Sequence, residues 1–137
     1  MKKHYLVDTN IVIDMLLDRE VADAACAVFD GSERGDYYLH ICALSFTTIF
    51  YSLRKILSRE DRINALTQLR EAIEVAEVDG KVIDMALKSG WKDFEDAVQN
   101  FSAVMNPQIS AIITRNTKDF KDSTLEVVDS VEFLNSK

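Results

Sequence analysis

Apolar residues along this chain fall into two alternating kinds of run. The first kind is short and ends at a polar residue: 4–7 (HYLV) stops at Asp8, 37–42 (YYLHIC) is aromatic and β-branched, and 73–78 (IEVAEV) alternates up to Asp79 and Gly80. Residues 110–114 (SAIIT) are apolar almost throughout, and 125–128 (LEVV) close the series. Runs of this length and composition predict five strands. The second kind has the helical period. Phe46, Ile49, Phe50, Leu53, Ile56 and Leu57 fall at i, i+3, i+4, i+7, i+10 and i+11, and Phe94, Ala97, Val98, Phe101, Val104 and Met105 repeat the spacing. Each set predicts a helix with one buried face. Thr9 and Asn10 are candidate caps for a helix over IVIDML. Further helices are expected over 20–33, ending near Gly31, over 59–69, and over 81–89, stopping at Gly90. Pro107 follows the second stripe, RNTKDF (115–120) reads as a polar loop, and SVEFLN is a terminal helical turn.

Strands separated by one or two helices pair in parallel through right-handed crossovers. The expected fold class is therefore α/β, a three-layer sandwich with a central parallel sheet of about five strands flanked by helices. Pro107 is the only proline, the four glycines are scattered, and no repeat or low-complexity linker divides the chain, so one domain over 1–137 is expected. In such sheets ligands sit beyond the carboxyl ends of the strands, where the chain order switches direction.

Composition adds exclusions. With 47% hydrophobic and 28% charged residues, the chain is neither collagen-like, disordered nor a disulfide scaffold. No apolar run reaches membrane-spanning length, and HYLV is too short for a signal core, so a cytoplasmic protein is expected. In a reducing compartment, the isolated Cys26 and Cys42 read as buried free thiols. The formal charge of −7 argues against a broad basic face for nucleic acid. Two bound divalent cations would bring that charge to about −3.

The acids stand where ligands would bind. Asp8 closes the first strand, Asp119 follows the SAIIT strand, and Asp96, with Asp93 and Glu95 beside it, begins the helix leading into that strand. Gathered carboxylates repel, and the usual relief is a hard divalent cation with oxygen ligands, Mg²⁺ keeping most of its waters. Such a cation activates water and neutralises a phosphodiester, so metal-assisted phosphoryl hydrolysis is the chemistry expected. Thr114 and Asn116 add neutral oxygens nearby. Each acid also has an ordinary reading: Asp8 as a helix cap, the 93–96 group as a complement to a helix dipole, Asp119 as a turn residue. The apolar stripes, Trp91 and the methionines read as packing. His4 and His40 lie within strands without zinc-ligand spacing, and no Walker loop, GxGxxG or Ser/His/Asp order is present. Local basic groups, Arg54, Lys55, Arg59 and Arg62 in one cluster and Arg115, Lys118 and Lys121 in another, are the candidates for contact with a phosphate backbone.

Three motifs, LVDTNIVIDML (6–16), KDFEDAVQNFSA (92–103) and ITRNTKDF (113–120), occur in order across most of the chain. Together they resemble the PIN-domain family, particularly small bacterial VapC-like toxins. The resemblance implies a Mg²⁺- or Mn²⁺-dependent endoribonuclease of a toxin–antitoxin pair. It assigns catalysis and metal binding to Asp8, Asp96 and Asp119, with Asn116 as the polar residue before the last acid. RNA and a cognate antitoxin protein are the implied partners, a homodimer is the assembly to test, and no membrane is involved. One position departs: aligning 41–55 places Thr48 where the family commonly has a Glu. A neutral hydroxyl is the weaker ligand for a hard cation. Thr48, Glu95 and Thr114 are therefore accessory candidates, Glu95 as a replacement carboxylate. Two alternatives stay open, a weakened or inactive PIN-fold binding protein and a small-molecule phosphohydrolase. For the latter, an aspartyl nucleophile would want a second Asp at position 10, which is Asn.

Overall fold

The computed structural model describes residues 2–17 and 22–137. Five strands, β1 (His4–Val7), β2 (Tyr38–Cys42), β3 (Glu74–Ala76), β4 (Ile109–Thr114) and β5 (Glu126–Asp129), form one all-parallel sheet in the order β3-β2-β1-β4-β5. The chain lays β1, β2 and β3 outward in one direction and then returns to place β4 on the other side of β1. The switch in direction therefore falls between β1 and β4, and their carboxyl ends flank the crevice that ligands use in open parallel sheets.

The connecting helices are α1 (Thr9–Leu16), α2 (Ala22–Glu33), α3 (Ser45–Ser52), α4 (Arg59–Ala72), α5 (Gly80–Lys88), α6 (Phe94–Val104) and α7 (Ser130–Asn135). Successive strand residues point to opposite faces. Tyr5, Val7, Leu39, Ile41, Ala111 and Ile113 pack under α1, α2, α3, α4 and α7, through Ile11, Val28, Ile49, Leu69 and Phe133 among others. Leu6, Cys42, Ala76 and Ile112 face the other way, toward α5 and α6 through Val82, Ala86, Ala97, Val98 and Ala103. Burying each larger aliphatic side chain contributes about 1.5–3 kcal/mol, so both faces hold the sheet. This is the expected three-layer α/β architecture.

Several elements differ from their sequence reading. The helix drawn over the Phe46–Leu57 stripe ends at Ser52, and Ile56 is 64% exposed in the turn leading to α4. Arg62 holds that corner, its guanidinium 4.1 Å from the Phe50 ring centroid and donating to the Phe50 carbonyl at 3.2 Å. In the second stripe, Phe94 and Met105 are 48% and 41% exposed at the two ends of α6, while its middle buries Gln99, Asn100 and Ser102. The expected caps Thr9 and Asn10 are inside α1, because Asp8 itself is the N-cap and accepts from the Asn10 N–H at 3.4 Å. Helix α2 runs past Gly31, which packs under Tyr37: that hydroxyl donates to the Val28 carbonyl at 2.5 Å, and a Cβ at position 31 would lie 2.2 Å from it. The predicted start of this helix, residues 20 and 21, lies outside the described residues. The loop over 115–120 contains a 3₁₀ turn, Thr117–Phe120, anchored by the buried Phe120. Cys26 is half-buried and Cys42 fully buried.

Candidate acidic cleft at the switch point

Asp8 leaves the end of β1 and turns the chain into α1. Its carboxylate is almost wholly buried and accepts from three directions. Oδ2 accepts from the Thr114 hydroxyl at 2.8 Å, and Oδ1 from the Gln99 side-chain N–H at 3.2 Å and the Asn10 backbone. Burial raises the Asp8 pKa above its ordinary value; these hydrogen bonds oppose the rise and the nearby Asp119 charge adds to it. Thr114 thus stands behind Asp8, its hydroxyl also accepting from the Asn116 N–H at 3.1 Å, and acts by orienting the carboxylate.

Asp96 comes from the first turn of α6. Asp93 is the cap of that helix, accepting from the Asp96 N–H at 2.9 Å, so the ordinary reading holds for Asp93. The Asp96 carboxyl is pushed up to about 7, first by burial and then by the charges of Asp93, Asp8, Asp119 and Glu95. Acids from β1, α6 and the turn after β4 are thereby within electrostatic reach of one another.

Asp119 is the exposed member, carried on the 3₁₀ turn. It lies on the shared wall of two adjoining pockets. One, of about 330 Å³, is lined by Asp8, Asn10, Arg115, Asn116 and Asp119. The other, of about 540 Å³, includes Asp96, Asp119, Trp91, Lys92, Lys118 and Lys121. Asn116 and the two predicted lysines thus reach the cleft. Arg115 does too, but its Nε pairs with the buried Asp14 at 3.0 Å, which ties the cleft wall to α1. Glu95 is outside the lining of both pockets. Its carboxylate accepts from the Thr48 hydroxyl of α3 at 3.2 Å, and its pKa is raised chiefly by burial, with Asp93 and Asp8 adding.

Two residues that brace the cleft escaped the sequence reading. Gln99 clamps the site with both ends of one amide, donating to Asp8 while its oxygen accepts from the Thr9 N–H at 3.0 Å. Asp14 pairs with Arg115. Each had a signal: Gln99 is a polar residue inside an apolar helix one turn after Asp96, and Asp14 is the only charge in IVIDML, patterns that call for a buried partner. His4 and His40 meet each other, Nδ1 to Nε2 at 2.8 Å, near the amino-terminal end of the sheet, away from the acids.

The donor set is all oxygen and rich in carboxylate, which suits a hard divalent cation and neither zinc nor copper. Among the described residues no three His, Cys, Asp or Glu side chains converge tightly enough to enclose an ion. Mg²⁺ does not require such a cage, since it is commonly held by one or two carboxylates with waters completing its shell, and the cleft has room for them. Burial raises Asp8 and Asp96 first and neighbouring acids add to the rise, and a bound cation would relieve both. The residues therefore fit such a group.

An all-parallel α/β sheet with acids at its switch point narrows the class of domain without fixing its activity. Within that class the family is shown directly: the model for the PIN domain matches residues 4–118, and the chain belongs to the PIN domain family. No curated protein sequence matches it significantly. Among solved structures, it is similar to VapBC-1 from nontypeable Haemophilus influenzae, with 18% identity over 93% of this chain and 98% of that one, TM-score 0.70. VapBC2 from Rickettsia felis, bound to a promoter DNA fragment, aligns with 15% identity over 92% and 98% of the two chains, TM-score 0.67. Mycobacterium tuberculosis VapC20, described as a sarcin-ricin-loop-cleaving toxin, aligns with 13% identity over 90% and 98%, TM-score 0.67. At these identities the likeness speaks for the fold.

Proposed function

We propose that this protein is a Mg²⁺- or Mn²⁺-dependent endoribonuclease, the toxin of a toxin–antitoxin pair, acting in the cytoplasm and restrained by a cognate antitoxin. What supports this reading is the placement of Asp8, Asp96 and Asp119 around two pockets that share Asp119 at the switch point of a PIN domain. VapBC complexes among the structural neighbours support the antitoxin, and the description of VapC20 supports RNA as the substrate.

In this reading Asp8, Asp96 and Asp119 hold the cation. A bound divalent cation supplies Lewis-acid activation of water and neutralises charge on the phosphodiester. The chain's own residues do the rest. Thr114 and Gln99 fix the Asp8 carboxylate before substrate arrives, which spares reorganisation during the reaction. Asp96, raised to about 7 in the metal-free chain by burial and neighbouring acids, would release its proton to hold the cation. Lys92, Lys118 and Lys121 line the larger pocket and attract the RNA backbone locally, against an acidic overall charge.

The test is purified protein on a panel of structured RNAs with Mg²⁺, Mn²⁺ or EDTA, wild type beside Asp8→Asn. Metal-dependent cleavage is expected, and Asp8→Asn should abolish it while circular dichroism shows a retained fold. Wild-type cleavage by Asp8→Asn would reduce Asp8 to a helix cap. The neutral Thr48 favours a second reading, a PIN-fold binding protein without catalysis, which the same assay identifies as RNA or antitoxin binding without metal-dependent products.

A further inference from the structure

The smaller of the two cleft pockets, the one that reaches Asp8, is lined by two carboxylates, two amides and a single cation, Arg115. Arg115 is the first residue after β4, and its backbone is pinned on both sides. The Thr114 hydroxyl before it donates to Asp8, and the same oxygen accepts from the N–H of Asn116 after it. The side chain is fixed as well. Asn10 and Asp14 are one turn apart on α1 and so share a helix face. Asn10 lines the pocket, while Asp14, with its side chain only 1% exposed, meets Arg115 Nε at 3.0 Å. A carboxylate taken out of water is costly unless a cation compensates it, so Asp14 holds Arg115 where it is. The arginine side chain is nevertheless 46% exposed, and among the described residues its two terminal nitrogens form no hydrogen bond. An arginine serving only to neutralise Asp14 would close its planar fork on that carboxylate. Here the inner nitrogen meets the acid and the fork is left over.

We propose that Arg115, with Asp14 as its positioning residue, binds the phosphodiester of the RNA substrate in the pocket beside Asp8. The inference rests on the RNA-cleaving reading above and names the group that meets the phosphate there. Two carboxylates repel an incoming phosphodiester, and a guanidinium offering parallel N–H donors is the counter-charge whose shape matches it. Because buried Asp14 fixes the guanidinium before RNA arrives, little side-chain freedom is lost on binding. A purely structural ion pair between α1 and the end of β4 is the competing explanation.

The experiment is binding of a fluorescein-labelled single-stranded RNA of mixed sequence over a range of KCl concentrations, in Ca²⁺ and with the RNA shown intact on a gel. Wild type, Arg115→Lys, Asp14→Asn and the double variant Asp14→Asn/Arg115→Gln are compared, with melting curves and Mn²⁺ affinity measured alongside. The double variant removes one charge of each sign, so the formal charge stays at −7 and no buried acid loses its cation. It should bind RNA about 10- to 100-fold more weakly, the scale of a lost charged hydrogen bond, with a salt slope lower by about 0.7. Arg115→Lys keeps the charge and loses the fork, and Asp14→Asn keeps the fork and releases it. Both should bind RNA more weakly with the wild-type slope. A double variant that matches wild type in affinity and slope would overturn the proposal and leave the pair a structural tie. A lower affinity with an unchanged slope would do the same. So would a loss of Mn²⁺ affinity approaching about 10-fold, the scale of a lost support to a metal ligand, because the effect would then lie on the acids. If the double variant does not fold, Arg115→Lys decides, and wild-type RNA affinity there overturns the proposal. Wild-type affinity in Asp14→Asn overturns the positioning role alone. A wild-type protein that binds no RNA overturns the RNA reading with it.

Discussion

Asp96 shows how one side chain senses its surroundings. Its carboxyl is raised from an ordinary 3.8 to about 7, first by burial and then by four neighbouring acids. Between those two values the folded protein keeps a proton that the unfolded chain has released, so the unfolded state binds fewer protons and stability falls as pH rises through the window. The metal-free protein should therefore melt higher at pH 5 than at pH 8. Because Asp96 is only half-buried, solvent screening reduces its share to about 1–2 kcal/mol. Asp8 and Glu95, also raised, act in the same direction. Thermal melts in EDTA check this, with Asp96→Asn expected to flatten the profile. A wild-type profile that rises toward pH 8 would contradict it. Mn²⁺ should reverse the trend, since cation binding requires the deprotonated carboxylates and strengthens as they ionise.

Elements matter here chiefly through what they carry to the cleft. The 3₁₀ turn Thr117–Phe120 is four residues long and presents Asp119 only because Phe120 is sunk in the core, edge-on to Trp91 with ring centroids 5.8 Å apart. Phe120→Ala should cost about 3–5 kcal/mol in urea denaturation, the usual range for emptying a buried aromatic site. It should also weaken Mn²⁺ binding, as Asp119 loses its anchor. A variant destabilised by that amount with unchanged Mn²⁺ affinity would show that Asp119 does not bind the ion. Helix α3 teaches the complementary lesson. Its apolar period continues to Leu57, yet the helix stops at Ser52, where Arg62 and the start of α4 take over the packing. Periodicity reports which residues are apolar; the turn to a second helix is decided by the partners that cover them.

Across the whole molecule, charge and substrate pull in opposite directions. At −7 the chain repels a polyanion from afar, so RNA contact has to be local and assisted by the cation. Lys118 and Lys121 line the cleft and Arg115 is fixed there by Asp14, whereas Arg62 is engaged in holding the α3–α4 corner. Lys118→Ala with Lys121→Ala should lower RNA affinity across sequences and flatten its salt dependence by about 0.7 in slope for each lysine that meets a phosphate. Affinity measured over a range of KCl concentrations checks this, and an unchanged slope would move the RNA path elsewhere.

The strand count, the parallel layering and the three acids at strand and helix ends were legible in the chain alone. They depend on period, run length and the residue that stops a run, all local properties of sequence. The order of the strands was not, nor was the switch between β1 and β4 that brings Asp8 and Asp119 to one cleft. Nothing in HYLV or SAIIT says which strand will be its neighbour. The same holds for the supporting residues. Gln99 reads as an interruption of an apolar stripe until β1 and α6 are packed together, and only then does its amide find both Asp8 and the Thr9 N–H. Thr48 reads as a missing charge until α3 is set beside α6 and its hydroxyl meets Glu95. Sequence by itself determined which chemistry was available and on which elements. Tertiary structure decided which groups meet, because hydrogen bonds and carboxylate repulsion act over a few ångströms between residues some 40 to 110 positions apart in the chain.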